Sequence, residues 1–145
     1  MEENVDYKGV MEIIELSGAV TSGFKKGKYF VSQKEYQSQI ERLLKFTPYP
    51  GTLNLQIIPE DLPKITTIRQ NRGILIEHFT RDEREFGYAL AYKATINGTD
   101  CAIIMPEMSS YTDIIEIIST WDLRQKLNLT DGKIVKVVVS FNKSD

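Results

Sequence analysis

Two short stretches combine residue types that can do chemistry with the glycines or prolines that could hold them in place. Ser22-Gly-Phe-Lys-Lys-Gly-Lys28 sets three lysines among two glycines. Glycines let backbone amides approach an anion closely and lysines supply point charges, so a phosphate cradle is physically reasonable. The stretch lacks the Gly-Lys-Ser/Thr ending of a Walker loop, and a glycine-bounded hairpin with solvated lysines fits the same pattern. The second stretch is Pro48-Tyr-Pro-Gly-Thr-Leu-Asn54. Pro48 and Pro50 fix φ, and Pro50-Gly51 suits a type II turn with Gly51 at positive φ. Thr52 and Asn54, two apart on the strand expected to follow, project their oxygens to one face, opposite Leu53. Two neutral oxygens can ligate a hard cation such as Mg²⁺, which keeps several waters and shares nucleotide phosphates. A stiff turn with Thr and Asn facing solvent is the other reading.

The remaining chemistry is narrow. Cys101 and His78 are each the single residue of their type in 145 residues, which excludes a disulfide framework and cysteine or histidine zinc sites within one chain. Both are expected in strands or core. The three Asn-x-Ser/Thr triplets, at Asn97, Asn128 and Asn142, read as turn chemistry. A net charge of -2 provides no general attraction for nucleic acid, so an anion site must be local. No apolar run approaches the roughly 20 residues of a membrane span, and the acidic start Met1-Glu2-Glu3-Asn4 is unlike a signal peptide. A soluble, cytoplasmic monomer is the expectation.

The elements that must position these residues are mostly strands. Residues 11–22 form a β-rich run, and Lys28-Tyr-Phe-Val31 reads as a short strand. Ser32-Gln-Lys-Glu35 has the form of a capping box, and Tyr36, Ile40, Leu43 and Leu44 recur at helical spacing, predicting one helix of about 13 residues that Pro48 ends. Residues 52–57 alternate, with Leu53, Leu55 and Ile57 facing in. A connection through Pro59 and Pro63 leads to strands at 73–79, 86–96 and 99–105, the first two joined across a solvated tip at Arg81–Glu85 and the last two by Asn97-Gly98, a type I′ hairpin signal. Residues 114–118 form a further strand, 120–127 a short capped helix, and 129–139 a turn and closing strand. Six or more strands against two helices, without βαβ alternation, predict an all-β antiparallel barrel. Residues 1–10 are a loose segment and 11–145 a single domain.

Taken together, Ser22–Ser32, Phe46-Thr-Pro-Tyr-Pro-Gly-Thr-Leu-Asn54, Ile114-Ile-Glu-Ile-Ile118, Leu123-Arg124 and Leu129-Thr-Asp-Gly132 resemble the archaeal CTP-dependent riboflavin kinases, in one collinear order over roughly residues 12–141. The resemblance implies a six-stranded cradle-loop barrel and transfer of a phosphoryl group from CTP to riboflavin, giving FMN and CDP. It implies that Gly23, Phe24, Lys25, Lys26, Gly27 and Lys28 run along the nucleotide phosphates, that Thr52 and Asn54 hold Mg²⁺, and that Trp121, Asp122, Leu123 and Arg124 line the cytosine pocket. Glu116 would contact the flavin and orient or deprotonate its hydroxyl, with Met108 and Ser109 at the flavin phosphate. Three departures stand out. The family loop usually reads Gly-x-Gly-Glu-Gly where this chain has Gly23-Phe-Lys-Lys-Gly27, a threonine is usual at Met108, and Ala-Pro is usual at Ser119-Thr120. A module that binds CTP or FMN without turnover is the alternative those changes raise.

Overall fold

The computed structural model describes residues 11–22, 30–107 and 113–142. Alternation sets the architecture. In β1 (Met11–Thr21), β2 (Leu53–Ile57) and the last strand, β9 (Ile134–Asn142), every second residue, among them Leu16, Val20, Leu53, Leu55, Val137 and Val139, turns into one shared core. β1 pairs antiparallel with β2 on one side and β9 on the other. β2 continues to β8 (Ile114–Ile118), β8 to β7 (Thr99–Pro106) and β7 to β6 (Ala89–Ile96), all antiparallel. β6 then meets β9 through Ala94↔Val139 and Thr95↔Val138, which closes six strands into a barrel and removes their free edges. Outside the closure, β3 (Ile74–Ile76) pairs with β6, and β4 (Phe79–Arg81) with β5 (Arg84–Phe86) makes a separate hairpin.

One helical face covers the barrel wall. In α1 (Lys34–Leu44), Tyr36, Ile40 and Leu44 pack with Phe30 and Val31 onto Ile76, Ala91, Ala102, Ile104 and Ile118, the outward residues of β3, β6, β7 and β8. The chain before α1 differs from expectation. Residues 30–32 are helical, not a strand, because the Phe30 ring stacks on Tyr36 at 4.1 Å. Ser32 therefore lies inside a helical turn, Gln33 takes the N-cap position without a side-chain cap bond, and the capping box does not form. Glu35 instead accepts from Arg81 at 2.7 Å. The helix ends at Lys45, in the left-handed region at φ 68°, before Pro48 is reached.

The connection through Pro59 and Pro63 holds a helix that was not expected. Pro59 opens a 3-10 turn (Pro59–Asp61) and Pro63 sits in the first turn of α2 (Leu62–Arg69), where a missing N–H costs nothing. Ile65 and Ile68 of α2 join the barrel core. Asp61 accepts the Ser17 amide at 2.8 Å and pairs with Lys64 at 3.0 Å; that amide and then Lys64 hold its carboxyl below the usual range. The Arg81–Glu85 tip shrinks to Asp82-Glu83, at φ 52° and 63°, and Asn97-Gly98 turns at 49° and 77° as its type I′ signal requires. Cys101 is buried in β7 as expected, whereas His78 is exposed between β3 and β4. α3 (Leu123–Leu127) is the short capped helix, with Asp122 accepting from the Gln125 amide.

Candidate functional site

Register brings together residues that periodicity cannot relate. Across the outer face, Thr21 of β1 lies opposite Asn54 of β2, Asn54 opposite Glu116 of β8, and Glu116 opposite Ile104 of β7. Their sequence neighbours Leu53, Leu55, Ile115 and Ile117 fill the barrel, so this row faces outward. Even so, Asn54 is only 5% exposed and Glu116 7%. The Asn54 Oδ1 atom has no hydrogen-bond partner among the described residues. An acceptor buried unpaired costs about 1–3 kcal/mol, which makes the Asn54 Oδ1 atom a candidate ligand atom.

Thr52 stands two residues before Asn54, at the entrance to β2, in a cleft with Tyr49, Gly51, Trp121, Asp122 and Arg124. The proline turn shapes that cleft, though not as a type II turn. Gly51 does not take a positive φ; its amide donates to the Tyr49 carbonyl at 2.8 Å, a three-residue turn centred on Pro50. Glycine is needed for space, since a Cβ there would come within 3.1 Å of the Tyr49 ring. The Tyr49 amide donates to the Ser119 carbonyl at 2.8 Å. The Asp122 carboxylate, first through its charge and then as a hydrogen-bond acceptor, pushes the Tyr49 phenol above its usual value. At the start of α3 the Asp122 Oδ1 atom accepts the Gln125 amide at 3.4 Å.

Arg124 is engaged on the other side. Its Nη2 atom donates to the Thr21 carbonyl at 3.2 Å and to Asp131 Oδ1 at 2.7 Å, while Ser22 Oγ donates to Asp131 Oδ2 at 2.7 Å. The bond from Arg124, followed by that from Ser22, holds the Asp131 carboxyl below the usual range. This network ties the end of β1, immediately before Gly23–Lys28, to the segment carrying Trp121–Arg124. Trp121 is half exposed, with Lys126 Nζ 4.0 Å from the centre of its ring.

Of the residues singled out in the sequence, Thr52, Trp121, Asp122, Leu123 and Arg124 line one cleft, and Asn54 and Glu116 are cross-strand neighbours beside it. Leu123 is a core residue at 4% exposure, so its side chain belongs to the barrel interior. Gly23, Phe24, Lys25, Lys26, Gly27, Lys28, Met108 and Ser109 lie outside the described residues. Sequence reasoning gave no role to Tyr49, Ser22 or Asp131, although Tyr49 sits inside the proline motif and Asp131 in the Asp-Gly turn.

The described residues contain no cluster of three His, Cys, Asp or Glu that could cage a metal ion. The donor set that does exist, a neutral amide oxygen in want of a partner and a nearby threonine, suits Mg²⁺, which takes few protein ligands and completes its shell with water and phosphate. None of the described helices is long and apolar enough to cross a membrane.

Comparison with known proteins identifies the family. The family model named CTP-dep_RFKase, described as a domain of unknown function, DUF120, matches residues 20–139. A riboflavin kinase of Archaeoglobus fulgidus is 42% identical over 142 residues, covering 95% of this chain and 61% of the relative. Riboflavin kinases of Thermoplasma acidophilum and Pyrobaculum aerophilum are each 44% identical, covering 87% of this chain and 57% and 60% of their own lengths. The chain thus spans about three fifths of the length of these relatives. With the match running from the end of β1 into β9 and enclosing the whole site, the chain belongs to the CTP-dep_RFKase family.

Proposed function

We propose that this chain is a riboflavin kinase that transfers the γ-phosphoryl group of CTP to the ribityl 5′-hydroxyl of riboflavin, giving FMN and CDP. The observation that carries the reading is the buried Asn54 Oδ1 atom, without a hydrogen-bond partner among the described residues, directly across from Glu116. The names of the relatives support the acceptor, and the name of the family model supports the donor.

Phosphoryl transfer passes through a loose transition state, so the protein chiefly positions the reactants and balances charge. The shallow cleft of Tyr49, Thr52 and Trp121–Arg124 meets one edge of the nucleotide, with backbone groups of residues 121–124 at the edge of the base. Arg124, aimed by Asp131, adds positive charge beside the end of β1. Thr52 and Asn54 would hold Mg²⁺, which supplies neutralisation of phosphate charge when bound. Glu116, one strand away from Asn54, orients the attacking hydroxyl and is placed to take its proton. The reaction requires no covalent intermediate, consistent with a chain whose single cysteine is buried and whose single histidine lies elsewhere.

Incubation of the protein with riboflavin, Mg²⁺ and either CTP or ATP, followed by chromatography for FMN, tests the proposal. FMN from CTP and not from ATP is expected. Saturable CTP binding without any FMN would replace the kinase with a nucleotide-sensing module.

A further inference from the structure

Ser119 is the first residue after β8 and is only 2% exposed. Its backbone and its side chain hold three different neighbours. The carbonyl accepts the Tyr49 amide of the proline turn at 2.8 Å. The hydroxyl donates to the Asp100 carbonyl near the start of β7 at 2.8 Å and accepts the Trp121 amide at 3.3 Å. One buried residue therefore fixes where the segment lining the cleft leaves the barrel.

Local chemistry explains what the hydroxyl does there. The ladder between β7 and β8 runs out at Ala102↔Ile118, and the Ser119 side chain extends that tie by one residue through the Asp100 carbonyl. A serine oxygen that accepts the amide two residues on closes a small ring, which restricts the residue in between. That residue, Thr120, is exposed, and its own amide makes no hydrogen bond among the described residues. Where the family usually carries Ala-Pro, a pyrrolidine ring fixes φ at this position covalently. This chain reaches the same end with Ser119. The next residue, Trp121, is half exposed under Lys126 and opens the stretch of residues 121–124 in the cleft.

We propose that Ser119 is a positioning residue for nucleotide binding, holding Trp121 and the backbone after it in place by two hydrogen bonds instead of a proline ring. The proposal deepens the kinase reading and rests on it for the identity of the nucleotide. Trp121 is the chain's single tryptophan, so its fluorescence reports on this segment alone. Wild type, Ser119→Ala and the double variant Ser119→Ala/Thr120→Pro are compared by calorimetric titration with CTP, by steady-state kinetics of FMN formation, and by time-resolved anisotropy of Trp121 without nucleotide. Ser119→Ala should raise the Kd and KM for CTP about fivefold, the scale of one neutral hydrogen bond, with kcat and the riboflavin KM within about twofold of wild type. It should also enlarge the fast depolarisation of Trp121. The double variant should restore both the CTP Kd and the anisotropy, because proline again fixes φ at residue 120. A wild-type CTP Kd in Ser119→Ala overturns the proposal. So does a parallel loss of CTP and riboflavin affinity, or a double variant that binds CTP no better than the single one. If the wild type neither binds CTP nor forms FMN, the kinase reading falls, and the anisotropy series alone decides whether Ser119 fixes Trp121.

Discussion

Replacing Asn54 by leucine should make the ligand-free protein more stable while destroying its activity. Asn54 is 5% exposed, and its Oδ1 atom is buried without a hydrogen-bond partner among the described residues. Leucine keeps the γ-branched heavy-atom skeleton of asparagine and has no acceptor to desolvate, so the substitution removes a penalty of about 1–3 kcal/mol, against which the greater bulk of its methyl groups counts. At roughly 3 °C per kcal/mol for a chain of this length, the melting temperature should rise by up to about 9 °C. The assay is thermal unfolding with and without Mg²⁺ and CTP, run alongside kcat/KM. Wild type should be stabilised by the pair of ligands and the variant should not, and kcat/KM should fall about 100-fold or more, the effect of removing a group that acts in the transition state. A variant less stable than wild type without ligands would show that the amide oxygen is already satisfied within the chain. That result would remove the central argument for a metal shelf.

Other consequences can be measured independently. Asp131→Asn should raise the KM for CTP severalfold with kcat little changed, because Arg124 and the end of β1 lose a shared anchor. The folded-state carboxyl of Asp131 is depressed, so its contribution to stability is complete above the unfolded value of about 4 and is lost as pH falls through the folded value. The gap in melting temperature between wild type and Asp131→Asn should accordingly be full at pH 6 and should close in more acidic buffer; a constant gap would contradict the anchor. Burial pushes the Cys101 thiol up to about 12, with Asp100 adding to the shift, so a thiol reagent at pH 8 should label it only as the protein unfolds. Rapid labelling of the native state would refute that placement. Ile68→Ala should cost about 2–5 kcal/mol in denaturant unfolding, since Ile68 anchors α2 in the barrel core with no exposed surface.

Much of the barrel could be read from the chain because β1, β2 and β9 alternate and β7 and β8, covered on both faces, read as short apolar runs. The Asn97-Gly98 hairpin and the inward set Leu53, Leu55 and Ile57 are local facts of that kind. Register is not local. Nothing in the spacing of Asn54 and Glu116 places them opposite each other, and the resemblance assigned them separate roles without putting them side by side. Helix α2 escaped notice because Pro59 and Pro63 read as breakers, whereas both occupy first-turn positions that tolerate proline. The strand end expected at residues 30–31 and the capping box failed for one tertiary reason, residues 28 and 29 lying outside the described residues. Stacking of Phe30 on Tyr36 draws the preceding chain into a helical turn, and Arg81 from the β4–β5 hairpin takes Glu35. The type II turn at Pro50-Gly51 failed because Gly51 serves the close approach of the Tyr49 ring rather than a left-handed backbone. The clamp formed by Ser22, Arg124 and Asp131 spans more than a hundred residues of sequence and could be seen only once β1 and β9 were paired.

The central claim is that Asn54 and Glu116, adjacent across β2 and β8, mark the point where a nucleotide phosphate meets the flavin hydroxyl. The most direct measurement follows the phosphorus itself: CTP labelled in its γ-phosphate is incubated with riboflavin, Mg²⁺ and either wild type or Asn54→Leu. Label should appear in FMN with the wild type and stay in CTP with the variant. Label released as inorganic phosphate by the wild type, or carried into FMN by the variant at the wild-type rate, would contradict the account.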